Sequence, residues 1–515
     1  MSNPLSRRRF LAGAAAIGGS AALFGLSACS NSESSGRGST SNALLPTAAP
    51  PGWDAILEKV NAKMREEIGT TLGAEFFNWS NFGQQSLLKF TAGERFDTSL
   101  QAMWLNMAQL QSSGSLADLT AEVDKHPNLK ATISKELLDA NSWDGKLWGI
   151  PQVNAAGRLH HQVVRQDMAE SLGFAEIKDY DTFERFLYAV KEKKRGVTPF
   201  CAANGTAFLL AIPRPTAQFD PASWENPNTI PLSFGGKGVW FFPAKDAATT
   251  GSSSPVPFWE VPQVVETFRR IRRYYQDGII NADAITVDAA TVKSQWIAGR
   301  YAATWAVTDG LTSTVLTAMR KNDPKAQLAN ILPFTAGLSA KPNQTFQADN
   351  LVVVNAKGGD VERAMKIQDW LSIQENHDLL AYGTEGTDWK PVGGDRIEVL
   401  SDYTFPGFAL CWRAPLERKP AVMTDSEERI FDWAQDVKNF TLDPFSSFIP
   451  DQTEIGPVIT QMTQVITEFG NPLYYGTVDV DKQLDKLKRA ADSAGLAKLQ
   501  EQMEKQANAY LSRSR

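Results

Sequence analysis

The sequence predicts an α/β chain built as layered lobes, and three observations carry the prediction. Helix-period and strand-like stretches alternate from Trp53 onward with short connections, the pattern of stacked helices and sheets. Apolar residues make up 43% of 515, enough for sizeable cores. No fixed-period internal repeat is visible, which sets solenoids and propellers aside. At roughly 100–200 residues per domain, the length behind a removable leader makes two to four domains or lobes.

The leader comes first. Ser6-Arg7-Arg8-Arg9-Phe10-Leu11 heads an uncharged apolar stretch from Leu11 to Leu26. That stretch is rich in Gly and Ala and shorter than the ~20 apolar residues that span a bilayer. It has the pattern of a twin-arginine export signal over residues 1–28. Leu26-Ser27-Ala28-Cys29 resembles a bacterial lipobox, in which cleavage before the cysteine is followed by its lipidation. Of the 22 residues from Ser30 to Pro51, 13 are Ser, Thr, Gly or Pro. Such a segment cannot offset its ordering entropy, so residues 29–51 are expected to be a flexible tether. Leader, cysteine and tether in that order describe an exported protein held by lipid at Cys29.

The elements follow in order. Ala55–Ile68 reads as a helix with Ile56, Val60, Met64 and Ile68 on one face. Glu75–Trp79 reads as a short strand feeding the loop Asn78–Gly83. Leu147–Pro151 is a second strand, reached through the turn Trp143-Asp144-Gly145-Lys146. Val264, Phe268, Ile271 and Tyr275 form a helical stripe. Arg269, Arg270, Arg272 and Arg273 cover its other side as a solvated face. Leu351–Val354 is an apolar strand, and Gly359–Gln374 follows as a helix packing Val361, Ala364, Met365 and Leu371. Gly251–Pro257 and Thr308–Ala340 read as loops. The tail from Val480 reads as amphipathic helix.

Charge and motifs exclude several functions. Removal of residues 1–28 takes three arginines and leaves 49 basic against 58 acidic groups, a net charge of −9. Such a surface repels phosphate backbones, so no nucleic-acid partner is expected. The chain has no G-x-S-x-G elbow, H-E-x-x-H, C-x-x-C or G-x-x-x-x-G-K-[ST]. His160 and His161 are neighbours, and on a strand they face opposite sides. No metal, cofactor or catalytic residue is expected. A glycosidase would need two carboxylates about 5–10 Å apart, and no short motif advertises such a pair. Cys201 and Cys411 either pair with each other or remain two buried thiols; their spacing does not decide.

Fourteen tryptophans supply the candidate site. Trp79, Trp148, Trp224, Trp240, Trp305, Trp389 and Trp412 stand beside turn-forming or polar residues. Trp296, Trp370 and Trp433 read as packing residues. The C–H-rich face of a sugar ring packs on an indole, and its hydroxyls need amides, carboxylates or guanidiniums at the rim. Asn81, Asn154, Arg158, Asn204, Asp309, Asp349, Asn350 and Arg413 can supply them.

The order of segments resembles the family 1 extracellular solute-binding proteins of carbohydrate ABC transporters, especially the large alginate-binding-like lipoprotein branch. Asp144-Gly145-Lys146-Leu147-Trp148-Gly149-Ile150-Pro151 matches the family's "DGK-aromatic-GIP" approach to an inter-lobe strand. Val163–Asp167 with Leu172-Gly173-Phe174 is similar to its "R-x-D-W-L-x-x-L-G" segment, with Met168 in place of the tryptophan. Tyr274–Ile280 resembles the "Y-x-x-G-L-I" helix end. Trp296–Ala302 resembles "W-x-x-G-x-x-A", and Tyr382–Trp389 the "YG-x-EG" turn. Thr91–Asp97 stands at a Gly-Asp-Leu-Pro-Asp-type turn without the proline. Some relatives hold Ca²⁺ in a D-x-[DN]-x-[DN]-G loop. Lys191–Gly196 occupies that place here and offers no oxygen cage, so no calcium is expected there.

The resemblance implies a type II periplasmic-binding-protein-like fold, two hinge-closing lobes with a ligand cleft between them. The lobes are expected at 52–158 with about 305–355, and at 159–304 with about 356–515. It implies capture of a carbohydrate, an oligosaccharide in particular, for delivery by a monomer to ABC permease subunits. Trp79, Asn81, Asp97, Trp148, Asn154, Arg158, Trp240, Trp305, Asp309, Trp389, Trp412 and Arg413 are the expected cleft residues, with Trp79 and Trp240 as stacking platforms. Arg158, Arg413 or Lys390 can pair a uronate carboxylate, so neutral and acidic sugars both stay open. A surface-anchored polysaccharide hydrolase or lyase, and a binder of a non-sugar solute, are the alternatives.

Overall fold

The structure is a computed structural model. It describes residues 40–103, 105–157, 160–203, 230–234, 237–242, 256–260, 262–307, 311–332, 343–344, 346–348, 350–442, 445, 447–448 and 450–513. The leader, Cys29, Arg158, Asn204, Trp224, Asp309 and Asp349 lie outside the described residues.

The chain opens with β1 (Thr40–Leu45), α1 (Trp53–Ile68), β2 (Thr71–Phe76), α2 (Trp79–Ala92) and β3 (Thr98–Gln101). The α1 stripe falls as its period predicts, with Ile56, Val60 and Met64 buried. β1 is a correction. Residues 40–45 were expected to be tether, yet β1 pairs in parallel with both β2 and β3. Ala43, Leu44 and Leu45 are 0–1% exposed. The apolar run is three residues long and disappears in the average over a Ser/Pro-rich window. A strand covered on both faces needs no alternation to betray it. Asn78–Gly83 is likewise no loop: α2 starts at Trp79, and the Asn78 carbonyl accepts from the Asn81 and Phe82 amides.

The chain continues through β4 (Ile150–Pro151), β5 (His160–Arg165), α3 (Tyr180–Lys193), β6 (Thr198–Phe200) and α4 (Pro262–Gln276). Then come β7 (Tyr301–Val307), α5 (Leu311–Arg320), β8 (Leu328–Ile331), β9 (Leu351–Val354), α6 (Val361–Trp370) and α7 (Asp425–Ala434). Helices α8 (Gly456–Val465), α9 (Val480–Ser493) and α10 (Leu496–Arg513) close it. The Thr308–Ala340 segment, expected to be loop, therefore holds two elements, α5 and β8. On α4, Val264, Phe268, Ile271 and Tyr274 are buried. Its arginines are spent locally: Arg269 pairs with Asp481, Arg273 with Glu266, and Arg272 donates to the Gly476 carbonyl.

Two sheets result. The first runs β2-β1-β3-β9-β4 and the second β8-β5-β7-β6. Each organises its own core. One core gathers residues between Ala43 and Ala155 and again between Phe346 and Phe440. The other gathers residues from Val164 to Ala303 and from Phe445 to Leu511, beside a satellite that includes Trp296 and Leu328. The lobe boundaries expected from sequence shift accordingly. Residues 356–440 belong with the first lobe because α6 and α7 pack there. Residues 305–331 belong with the second because β7 and β8 both pair with β5. The chain thus passes between cores three times, after Ala155, after Ile331 and after Phe440. Cys201 and Cys411 are buried and unpaired, in cores of different lobes.

Candidate functional site

Strand direction locates the site. β1, β2 and β3 run parallel and end at Leu45, Phe76 and Gln101. β9 begins opposite Gln101, and β4 ends opposite Leu351. One edge of the first sheet therefore carries the N-terminus of α2, Gln101, Asn350 and Gln152. In the second sheet β5 starts opposite Val307, the end of β7, and β8 ends opposite Gln162. The first two crossings run between these two edges. In α/β sheets ligands bind outside the carboxyl ends of the strands, so these two edges form the candidate site.

The structure brings some predicted residues to these edges and takes others away. Trp79 and Asn81 lie on the first turn of α2, directly after β2. Asn154 lies on the first crossing, where its carbonyl accepts from Gln435 Nε2 at 3.0 Å. Trp305 is on β7, paired with Gln162 and half-buried. Trp412 is half-buried next to that crossing, since Val153 and Arg413 bridge in parallel. Its ring meets Phe408 edge-on at 5.9 Å and packs over Gly407, where a Cβ would overlap the indole.

Asp97 stands at the opposite edge. It precedes β3, is 2% exposed, and both its oxygens are taken by Arg363 at 2.6 and 2.7 Å and by the Asp360 amide at 2.9 Å. Trp148 lies level with Val354, away from the carboxyl edge, with Lys146 over its ring. Trp389 is 5% exposed and donates to the Gly383 carbonyl, inside a separate three-stranded sheet of Trp389–Gly393, Arg396–Val399 and Lys419–Pro420. Lys390 is paired there with Glu398 at 2.9 Å. Trp240 belongs to another three-stranded sheet of Ile230–Phe234, Lys237–Phe242 and Val256–Pro257. Trp148, Trp240 and Trp389 share turn-forming or polar neighbours in the sequence, and turns form at both ends of a sheet.

Arg413 reaches the edge, but from beneath. It is 1% exposed. Its Nη1 donates to Gln152 Oε1 at 3.2 Å and to the Trp412 carbonyl at 2.7 Å, Nη2 to Gln368 Oε1 at 2.7 Å, and Nε to Ser372 Oγ at 3.2 Å. Burial pulls its pKa down to about 10, with Cys411 and Glu417 acting the other way.

The lobes also touch through a polar junction. Glu427, on the first turn of α7, accepts from the Thr312 amide at 3.0 Å, at the N-terminus of α5. The neighbouring Ser426 Oγ accepts from the Asn330 amide at 2.9 Å. Asn330 Nδ2 donates to Thr312 Oγ1 at 3.1 Å and lies 2.7 Å from His161 Nε2. A carboxylate at a helix N-terminus satisfies orphan amides and meets the positive end of the helix dipole. Sequence reasoning missed Gln101, Gln152, His161, Asn330 and Glu427. Their shared signal is position at a strand or helix end, which becomes readable once strand direction is known. Among the described residues no group of three or more His, Cys, Asp or Glu is placed to hold a metal ion. Among them, too, no helix is long and apolar enough to cross a membrane.

Comparison with known proteins gives the same outline. Residues 444–512 match a domain of unknown function, DUF3502. A carbohydrate ABC transporter substrate-binding protein of Streptococcus pneumoniae serotype 4 is 24% identical over 474 residues, which cover 90% of this chain and 89% of the relative. The crystal structure of an N-glycan transport solute-binding protein, NgtS, from Streptococcus pneumoniae superposes with a TM-score of 0.75 at 20% identity. It covers 92% of this chain and 100% of that one. The same protein in complex with Man5GlcNAc superposes at 0.69, with 20% identity, 92% of this chain and 99% of that one. The two-lobed solute-binding fold is thereby established for this chain.

Proposed function

We propose that the chain is the substrate-binding component of an ABC importer. It captures a carbohydrate, in particular an oligosaccharide, between its lobes and delivers it to the permease. The observation that carries this is the pair of sheets, on two cores joined by three crossings, whose carboxyl edges are furnished with indoles and amides. Trp412 and Trp305 offer apolar faces on opposite lobes, and Asn81 and Asn154 offer hydrogen-bonding rims. Trp79 stands at the same edge of the first lobe, on the first turn of α2. The sequence relative and NgtS support the carbohydrate assignment, each being similar to this chain over about nine-tenths of it.

Catalysis is not part of this task. A saccharide that binds the closed arrangement better than the open one shifts the lobes toward closure, and the permease reads that state. The twin-arginine leader and the lipobox at Cys29 support export and a lipid anchor on the outer face of the cytoplasmic membrane, with the protein acting as a monomer. Arg7→Lys with Arg8→Lys is expected to block export, and Cys29→Ala to release the protein from the membrane fraction.

Calorimetric titration with Man5GlcNAc, a chitin oligosaccharide and an alginate oligosaccharide tests the reading, with chromatography of the sugar afterward. One class is expected to bind saturably at one per chain and to be recovered intact. Shortened products would establish the hydrolase or lyase reading instead. Silence across the panel would refute the carbohydrate assignment.

A further inference from the structure

We infer that Arg413 is a positioning residue of the binding site: from beneath, it holds the first crossing segment and Trp412 in the arrangement that meets sugar. This deepens the carbohydrate reading and rests on it.

The guanidinium joins three separate parts of the first lobe. Its hydrogen bonds reach Gln152 at the start of the crossing, Gln368 and Ser372 at the end of α6, and the carbonyl of Trp412. Its own backbone forms the parallel bridge to Val153. Its amide donates to Glu417 Oε1 at 3.2 Å. The held pieces are those that present ligand-side groups. Val153 and Asn154 are half-buried, and so is Trp412. The crossing is pinned further along as well, by the Gly157 amide donating to the Ala434 carbonyl at 2.8 Å and by Gln435 on Asn154. The whole run from Gln152 to Gly157 therefore travels with the first lobe.

Chemistry sets the residue type. The donors of arginine lie in a rigid planar fork, so one side chain spans acceptors on three elements. A lysine brings a single nitrogen and cannot. Burying a guanidinium among neutral acceptors is expensive, and a well-packed apolar residue commonly gives equal or greater stability. Placement of the crossing and Trp412 is what the charge achieves that packing would not. The competing role, a clamp for a uronate carboxylate, needs accessible N–H groups. Arg413 is 1% exposed and each of its three nitrogens already donates within the lobe, so it supports the wall without touching the sugar.

The test uses the full chain with Arg413→Lys, Arg413→Met, Gln152→Ala and the Arg413→Met/Gln152→Ala double change. Thermal midpoint, Kd and dissociation rate are measured with Man5GlcNAc and with an alginate trisaccharide. At a temperature where all variants are folded, Arg413→Lys is expected to weaken Man5GlcNAc binding by about tenfold through faster dissociation. The double change is expected to be no weaker than Arg413→Met alone, because both act through one contact. Folded variants with a lowered midpoint and an unchanged Kd would overturn the inference. So would a wild-type preference for the alginate trisaccharide that is salt-dependent and lost in Arg413→Met, the behaviour of a direct clamp. Wild-type chain that binds neither sugar would contradict the carbohydrate reading itself, before any variant is compared. If Arg413→Met does not fold, Gln152→Ala and Arg413→Lys carry the same comparison.

Discussion

His377 is fully buried between two carboxylates, and that placement makes lobe stability depend on pH. Its Nε2 lies 3.2 Å from Glu417 Oε1 and its Nδ1 3.5 Å from Asp378 Oδ1. Burial alone disfavours the imidazolium, but the carboxylates of Asp378 and Glu417 on either side outweigh it and lift the pKa to about 9. The folded pKa thus lies above the unfolded value of about 6.5. The stabilisation is fully present below about pH 6.5 and is lost as pH rises through about 9. The denaturation midpoint of the wild-type chain should fall between pH 6 and pH 9.5, and the difference should shrink in His377→Gln. Asp97 offers a second residue-scale outcome. Its loss takes two hydrogen bonds from the Arg363 guanidinium, which keeps Asp360 at 3.6 Å, at a cost of about 1–3 kcal/mol. Asp97→Ala should therefore lower the unfolding free energy by that order and leave sugar affinity unchanged in calorimetry, since the pair with Arg363 lies at the far edge of the sheet. Gly157 is tighter still. A Cβ there would overlap the Phe440 ring, so Gly157→Ala should cost about 1–3 kcal/mol in chemical denaturation, with the strain falling on the first crossing.

At the scale of elements, what is legible in the sequence divides by the length of the apolar period. α1 and α4 carry their stripes over about four turns, so the chain itself announces which faces they bury. β9 is legible too, as four consecutive apolar residues between polar flanks. β1 is not, because Ala43-Leu44-Leu45 is a short run inside Ser, Pro and Thr. Its burial comes from β2 and β3, which lie far along the chain. α5 and β8 are hidden in a polar stretch for the same reason. The site is legible by composition and not by geometry. Indoles beside polar residues single out Trp79, Trp305 and Trp412, which stand at or near the proposed edges, but equally Trp389 and Trp148, which pack away from them. β1 yields a direct outcome. Leu44 is 1% exposed at the centre of three paired strands, and a buried unpaired charge there is prohibitive. Leu44→Asp, or a chain begun at Pro46, should fail to give a cooperative unfolding transition in circular dichroism.

At the scale of the molecule, two cores are joined by three crossings, and the proposed response to sugar is closure of one lobe on the other. The first crossing is fixed to the first lobe through Gly157. The second and third pair with each other, Asn343 with Thr441 and Gln344 with Leu442. The polar junction of Glu427 and Ser426 with Thr312 and Asn330 also links the two lobes. The central claim is that saccharide binding moves these lobes. Spin labels at Lys125→Cys and Asp485→Cys, one exposed position on each lobe, allow the distance between them to be measured with and without Man5GlcNAc or an alginate oligosaccharide. One of these sugars is predicted to shift the distribution to a new, narrower distance while remaining chemically intact. An unchanged distribution with sugar demonstrably bound, or a sugar cut during the measurement, would contradict the claim.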